Sequence, residues 1–395
     1  MYDYYELEDH KMRGLRDWRK ALRTPATYRV GNAVRIQPQF MFLIVLIGVF
    51  LLILFYYNWC TSGQSSTLHV TWTRSSRPYN ATYPLSSAFQ SGDVITYKIG
   101  IVADLDTNSK SNIKPYTFIS YLKRGFLSYD TVKNHVTVTW DKTPTTILSS
   151  TYSHKGRGME LSELIVYDGR LLTFDDRSGM IFEIIHNKMV PWVVLSDGNG
   201  HNEKGFKSEW ATVKDEVLYV GSMGKEWTTA GGDFESYDPM WVKAINMHGE
   251  VQHLSWVHQY KAVRLSTGIE WPGYMIHESG VWSPFKKKWY FLPRRCSHET
   301  YNETRDEVMG CNYMISADNS FKNIKATEIV KLQPKHGFSS FKFIPGSKDD
   351  AIVALKTTEF EGKTATYITA FKTDGTILLQ DTLVEHLKYE GIEFI

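Results

Sequence analysis

Short patches of carboxylate and hydroxyl residues recur five times in the last two-thirds of the chain, each against a β-like apolar run. They are Gly158-Met159-Glu160-Leu161-Ser162-Glu163, Gly205-Phe206-Lys207-Ser208-Glu209, His277-Glu278-Ser279, Gly337-Phe338-Ser339-Ser340 and Glu390-Gly391. Taken at Ser162, Glu209, Glu278, Ser339 and Glu390, the intervals are 47, 69, 61 and 51 residues, each close to one four-stranded propeller blade. Blades arranged around a ring bring one patch apiece toward a common axis. Oxygen donors arriving from separate repeats suit a hard cation such as Ca²⁺.

The segments between the patches carry the matching strand signals. From Leu164 to Leu195 the chain reads LIVYDG, RLLTFDDRSG, MIFEII and VPWVVL, short apolar runs separated by Asp-Gly and Asp-Asp-Arg-Ser-Gly turns. ATVKDEVLYVGS, GVWSPFKKKWYFLPRR and the stretch from FKFIPGSKDD to DGTILL repeat the pattern. No segment between 93 and 395 shows a sustained helical period with caps, which disfavours parallel α/β folds. The expected fold is all-β, a five-bladed β-propeller over 93–395. Tyr389–Ile395 would close the ring by pairing with strands from the N-terminal end of the domain.

Phe40 to Tyr57, FMFLIVLIGVFLLILFYY, is a run without a charge or a polar face, near the lower limit for a bilayer-spanning helix. A cleaved signal peptide fits poorly, because 39 residues precede the run and no small-residue cleavage site follows it. Those residues hold eight Lys/Arg against five acids, so the positive-inside bias makes 1–39 a cytoplasmic tail and 40–57 a transmembrane anchor. Residues 58–92, rich in Ser, Thr, Pro and Tyr, read as a lumenal stalk. On that topology the sequons at Asn80 and Asn302 are glycosylation acceptors. Cys296 and Cys311 can close a disulfide in the oxidising lumen. Net charge after the tail is near zero, which argues against nucleic acid as a partner.

Familiar catalytic spacings are absent. There is no His-Glu-x-x-His and no Gly-x-Ser-x-Gly, and Gly224-Lys225-Glu226 lacks the Ser/Thr of a phosphate-binding loop. His248, His253 and His258 read as ordinary surface or loop residues. What remains is acid-rich. Asp104 and Asp106, two apart after an apolar strand, and Asp175-Asp176 at another strand end can hold a cation or its water, or supply a general base. Solvated turns are the simpler reading of either motif. Basic groups share these neighbourhoods: Lys155 and Arg157, Arg177, Lys204 and Lys207, Lys225, and Arg294-Arg295. Carboxylates alternating with guanidinium and ammonium groups suit phosphoanhydride hydrolysis, although any one of them is by default a surface ion pair. Trp210, Trp227 and Trp271 are candidate base-stacking platforms or core residues. A non-catalytic lumenal propeller binding glycans or a protein, and a propeller glycosidase, are the competing classes.

KGRGMELSEL (155–164), DDRSG (175–179), VPWVVLSDG (190–198), KGFKSEW (204–210), LYVGSMGKEWTT (218–229), PGYMIHES (272–279), FLPRR (291–295), HGFSSFKFIP (336–345) and KYEGIEFI (388–395) together resemble the calcium-activated nucleotidases of the apyrase family. The resemblance runs from about Ile99 to the C-terminus, and the single N-terminal span resembles the Golgi and endoplasmic reticulum members. It implies a five-bladed propeller with a central Ca²⁺ that hydrolyses nucleoside diphosphates such as UDP and GDP, and some triphosphates, in support of lumenal glycosylation. By the same resemblance the Ca²⁺ ligands are Ser162, Glu163, Glu209, Glu278, Ser339 and Glu390, with position 163 often Asp in the family. Asp106 and Asp176 are the implied active-site carboxylates, and Asp104, paired with Asp106 after its strand, completes the expected catalytic set. Arg294 is implied as a phosphate-contacting or structurally required arginine, and Arg177, Arg295, Lys225 and Trp227 complete the expected substrate-binding set. The expected partners are nucleoside di- and triphosphates, a membrane through one N-terminal helix, and a second copy in a homodimer. The expected location is the endoplasmic reticulum or Golgi membrane, single-pass with a lumenal catalytic domain, or a secreted form released from it.

Overall fold

The computed structural model describes residues 77–229 and 231–395 in full, together with the backbone of 28–30, 34–36 and 38–62; within the last segment side chains are described over 42–56. The chain divides into two units, Met1–His69 and Val70–Ile395.

In the larger unit, four four-stranded antiparallel sheets follow one another along the chain, and a six-stranded sheet joins its two ends. The first runs from Leu161–Tyr167 outward through Arg170–Asp175 and Met180–Ile185 to Lys188–Val194. The second, third and fourth begin on Trp210–Lys214, Gly280–Ser283 and His336–Phe343. The fifth is composite: Tyr389–Phe394, the last strand of the chain, pairs antiparallel with Val94–Ala103, with Ile392 opposite Ile101 and Phe394 opposite Ile99. This is the ring closure expected of the C-terminal heptapeptide. The five leading strands touch one another in cyclic order, so they form the inner wall of a five-bladed propeller.

Burial follows the same plan. Leu161–Tyr167 is buried at every position because each face of a blade packs on a neighbouring blade, which removes the in–out alternation of a one-sided sheet. Each of the five blade junctions has its own apolar core. Between the second and third blades it is aromatic, with Trp210, Tyr219, Trp256, Trp282, Trp289 and Phe291 in edge-to-face contacts. Between the fourth and fifth it is aliphatic, with Ile99, Ile101, Val353, Leu355 and Ile392. One helix, Val257–Leu265, interrupts the strand pattern between the second and third blades. It is too short to show a helical period and has no side-chain cap; burial of Tyr260 and Val263 against the aromatic core holds it.

Residues 77–91, inside the stretch read as a stalk, are strapped to the propeller. Arg77 pairs with the buried Asp168, whose carboxylate also accepts the Asn80 N–H (2.9 Å). Tyr83 Oη donates to Glu393, and Phe89–Ser91 adds a strand beside Val94–Ala103.

The expected membrane anchor, 40–57, lies in the smaller unit. A helix, Pro38–Ser62, does form over the apolar run. Among the described residues no helix is long and apolar enough to cross a membrane.

Candidate active site and cation ring

The inner strands present their first residues to the axis through a repeated irregularity. In the first blade Leu161 pairs with Asp175 and Glu163 with Phe174, leaving Ser162 as an extra, unpaired residue. In the fourth, Phe338 and Ser340 pair with Lys356 and Leu355 and skip Ser339; in the fifth, Tyr389 and Gly391 pair with Ala103 and Val102 and skip Glu390. Each is a β-bulge, which withdraws one residue from the ladder and re-aims it. Glu209 and Glu278 take the corresponding place just before Trp210–Lys214 and Gly280–Ser283. Five of the six residues expected to hold a cation therefore stand at the same level of five successive blades. Ser162 Oγ donates to the Ser208 carbonyl (2.5 Å) and Ser339 Oγ to the Tyr389 carbonyl (3.3 Å), which ties each serine to the residue preceding the next blade's glutamate.

Glu163 behaves differently. Its carboxylate is one residue further along the inner strand, where Lys342 (3.1 Å), Ser340 Oγ (2.9 Å) and the Leu164 N–H (2.9 Å) engage it. The structure does not bring its side chain together with the other five.

Around the ring, acids and bases form one connected network. Lys207 joins Asp176 to Glu209 at 2.5 Å each. Arg294 joins Glu278, Glu359 (2.6 Å) and Glu390 (3.1 Å). Lys388 reaches Asp104 (2.8 Å), Glu359 (3.0 Å), Glu390 (3.3 Å) and Asp106 (3.4 Å). Arg157 bridges Asp106 and Glu160, and Arg177 also pairs with Glu160 (3.1 Å). Asp104, Asp106 and Glu160 each bring a carboxylate oxygen within 4.8 Å of the others.

Eight carboxylates face five cationic groups here, so three negative charges lack a protein counter-ion in a largely buried space. The protonation equilibria register that surplus. Burial, with Glu278 and Asp176 nearby, pushes Glu209 up to about 8, and burial, with Asp104 and Asp175 nearby, pushes Asp176 up to about 6, both against the pull of Lys207. Burial likewise pushes Glu160 up to about 8 despite Arg157. Glu390 is raised well above the usual carboxylate range by burial and by Glu278. Glu359 is the contrast: burial opposes ionisation, but Arg294 and Lys388 overcome it and hold the group at about 2. Asp176 Oδ1 is buried and has no hydrogen-bond partner among the described residues. Surplus buried negative charge, an unused carboxylate oxygen and all-oxygen donors fit a hard divalent cation.

Beside the network lies a cleft of about 500 Å³. Asp104, Asp106, Glu278, Arg294, Arg295 and Lys388 line its floor, while Tyr301, Glu303, Asp306, Glu307 and Phe360 form walls. Asp106 starts a short 3₁₀ turn with a φ of 47° and accepts no strand pairing; burial and the neighbouring Asp104 raise its pKa. Arg295 is 2% exposed, yet its Nε and Nη1 have no hydrogen-bond partner among the described residues, with Asp306 at 3.6 Å. Arg294, by contrast, is fully engaged by three carboxylates and acts as a brace of the ring.

Lys225 is buried and does not line the cleft; its Nζ bonds to the Glu226 carbonyl and lies 4.2 Å from the Tyr301 ring, and burial lowers its pKa to about 8. Trp227 does not line the cleft; it lies half-exposed on the hairpin Trp227–Thr228/Phe234–Ser236, covered by Lys204 at 4.4 Å. Asn80 and Asn302 are exposed, and Asn302 Oδ1 caps the turn Glu303–Asp306 by accepting the Arg305 N–H. Asp175, the other carboxylate of the Asp175-Asp176 motif, has its oxygens occupied by Met159 N–H, Arg177 N–H and Ser178 Oγ and organises the turn. Three residues of the network were given no role by sequence: Glu160, Glu359 and Lys388. Glu160 and Lys388 sit inside the quoted patches, so their signal was position; Glu359 lies at a hairpin end and carried none.

The apyrase family model matches residues 105–395. The chain is 51% identical over 317 residues to the soluble calcium-activated nucleotidase 1 of Rattus norvegicus, covering 80% of this chain and 78% of that protein. An apyrase of Cimex lectularius is 44% identical over 374 residues, 94% of this chain and 100% of its own length. Apyrase apy-1 of Caenorhabditis elegans is 42% identical over 301 residues, covering 75% of this chain and 84% of that one. With the match spanning most of the propeller, cation ring and cleft included, the chain belongs to the apyrase family of nucleotide-hydrolysing enzymes.

Proposed function

We propose that this enzyme is a calcium-dependent nucleotidase that removes the terminal phosphate of nucleoside diphosphates, UDP and GDP foremost, and of some triphosphates. The observation that carries the reading is the surplus of negative charge in the axial ring directly beside a cleft floored by Arg295, Lys388 and Asp106. Ca²⁺ fits Ser162, Glu209, Glu278, Ser339 and Glu390, and when bound it supplies positive charge toward phosphate oxygens. Arg295, with its unused N–H donors, neutralises the anionic substrate at the cleft floor. Asp106, a side chain 46% exposed within an acid cluster, is placed to orient a water and take its proton. The water oxygen forms a bond to the terminal phosphorus, the bond to the bridging oxygen breaks, and a nucleoside monophosphate leaves.

Chemistry on the same domain supports a compartment for the reaction. The Cys296–Cys311 disulfide and the exposed Asn80 and Asn302 sequons support an oxidising, glycosylating compartment. With the apolar helix Pro38–Ser62 and the basic residues before it, they support single-pass attachment to the endoplasmic reticulum or Golgi membrane, propeller lumenal. There the reaction would remove the diphosphates left by glycosyl transfer. Phosphate release from UDP and GDP by the purified chain, with Ca²⁺ and with chelator, tests the reading: a calcium-dependent rate supports it, whereas equal rates, or none in either, contradict it.

A further inference from the structure

We infer that the Cys296–Cys311 disulfide is a positioning element for substrate: it holds the cleft wall made by residues 301–307 against Arg295, so that its loss weakens nucleotide binding while the cation ring stays intact. The inference rests on the nucleotide reading of this cleft.

Each half of the disulfide is bolted to the propeller. Arg295–Ser297 pairs with Tyr274–Ile276, placing Cys296 opposite Met275 and Arg295 opposite Ile276, two residues before Glu278. Cys311 follows Gly310, whose N–H donates to the Pro334 carbonyl (2.7 Å). Gly310 is packed so closely on the carbonyls of Gln333, Pro334 and His336 that no Cβ fits there. The covalent bond fixes the two ends with Cα atoms 5.2 Å apart across a separation of 15 residues.

The segment between them has a single helical turn, Glu303–Asp306, and contributes little to the core: none of its residues from 301 to 309 is buried. It nonetheless supplies Tyr301, Glu303, Asp306 and Glu307 to the cleft. Its contacts with the rest of the domain include Cys296 N–H to the Met309 carbonyl (2.9 Å), Tyr274 Oη to Asp306 (2.6 Å), Arg295 to Asp306 (3.6 Å), the Glu361 N–H to Glu307 (3.3 Å), and Tyr274 and Lys225 against the Tyr301 ring. Two of them meet at Asp306, the carboxylate that faces Arg295. A buried guanidinium with two N–H donors unsatisfied is poised for an anion, and its direction depends on where Asp306 sits. A wall free to wander displaces Asp306 and changes how Arg295 meets a phosphate. Arg294, anchored to Glu278, Glu359 and Glu390, has no such dependence. The effect therefore falls on substrate affinity and spares the ring.

The test compares the wild-type full chain with the double variant Cys296→Ser/Cys311→Ser in UDP hydrolysis across a calcium titration. The expected result is a KM raised roughly tenfold, with kcat and the half-saturating Ca²⁺ concentration each within about twofold of wild type, the pattern of lost uniform binding. In a second arm that does not depend on folding without the cross-link, dithiothreitol applied to the folded wild-type chain raises KM, and reoxidation restores it. An unchanged KM in both arms overturns the inference, as does a parallel shift in calcium half-saturation. Calorimetric titration of calcium-loaded protein with α,β-methylene-UDP separates this proposal from the proposed reaction. Wild type binding it about tenfold tighter than the variant while cleaving no UDP would contradict the reaction and keep the inference; equal affinities would overturn the inference.

Discussion

Two acidic clusters occupy the propeller axis, a few residues apart on the same inner strands, and they differ in a way that separates a site from a scaffold. Further along those strands, Glu163 is met by Lys342, Ser340 and the Leu164 N–H, and Glu393 by Tyr83 Oη and the N–H groups of Val166 and Phe394. Every one of these carboxylates has protein donors. At the level of Glu209, Glu278 and Glu390 the acids outnumber the bases and Asp176 Oδ1 is left unmatched. Residue type and burial are alike in the two places. The donors differ: backbone N–H and hydroxyl groups meet Glu163 and Glu393, whereas among the described residues Lys and Arg alone meet Glu209, Glu278, Glu390 and Asp176, which suits the second cluster to an added cation.

The comparison can be broken most decisively at the reacting end. Asp106→Asn removes a proton acceptor while preserving shape, and kcat for UDP is expected to fall by about 10²–10⁴ with calcium half-saturation little changed. A loss under fivefold would remove Asp106 from the base role. Next come the two glutamates one blade apart. Glu209→Gln is expected to raise the half-saturating Ca²⁺ concentration at least about tenfold by removing a charged ligand. Glu163→Gln should leave that concentration within about threefold but destabilise the fold by about 3–5 kcal/mol, because Lys342 is then buried without its partner. Thermal melting and calcium titration of both variants read the difference; equal calcium defects would restore Glu163 to the ligand set.

A smaller effect follows from pH. Glu209 and Asp176 are raised in the folded protein, to about 8 and about 6, so the cation-free fold holds protons that the unfolded chain gives up near 4–4.5. Their contribution to stability is therefore greatest below that range and is lost as pH rises through 6 to 8. A bound cation favours the ionised forms, so the gain in melting temperature on adding Ca²⁺ should grow from pH 6 to pH 8. A gain that is flat or shrinks over that interval would place the cation elsewhere. Least of all should change with Ser339→Ala. Its hydroxyl already donates to the Tyr389 carbonyl, and the bulge leaves the backbone of residue 339 outside the ladder, so a carbonyl ligand survives the substitution. A shift in calcium half-saturation within about threefold is expected, on the order of one hydrogen bond, and a larger one would make the hydroxyl the ligand.

How much of this was legible in the sequence follows the range of the forces involved. The meander from Leu164 to Leu195 could be read because its turns are local, with Asp168-Gly169 and Asp175–Gly179 falling between the strands that form. Ring closure by Tyr389–Ile395 followed from the need of a propeller to leave no open edge. The helix Val257–Leu265 was invisible because tertiary burial, with no cap and too few turns for a period, sustains it. In the site, Glu209, Glu278 and Glu390 showed themselves by recurrence. Ser162 and Glu163 are adjacent and chemically plausible alike, and only the bulge decides which is turned out of the ladder. Glu359 is brought to Arg294 and Lys388 across 65 and 29 residues of sequence, a juxtaposition no local pattern encodes.

The central claim is that the axial ring holds a Ca²⁺ on which nucleotide hydrolysis depends. Calcium titration of phosphate release from UDP, run side by side on the wild-type chain and Glu209→Gln, addresses it most directly. The account predicts a saturable rise in rate from a chelator baseline near zero, displaced to higher calcium in the variant. A wild-type rate indifferent to chelator, or coincident titrations of the two proteins, would contradict it.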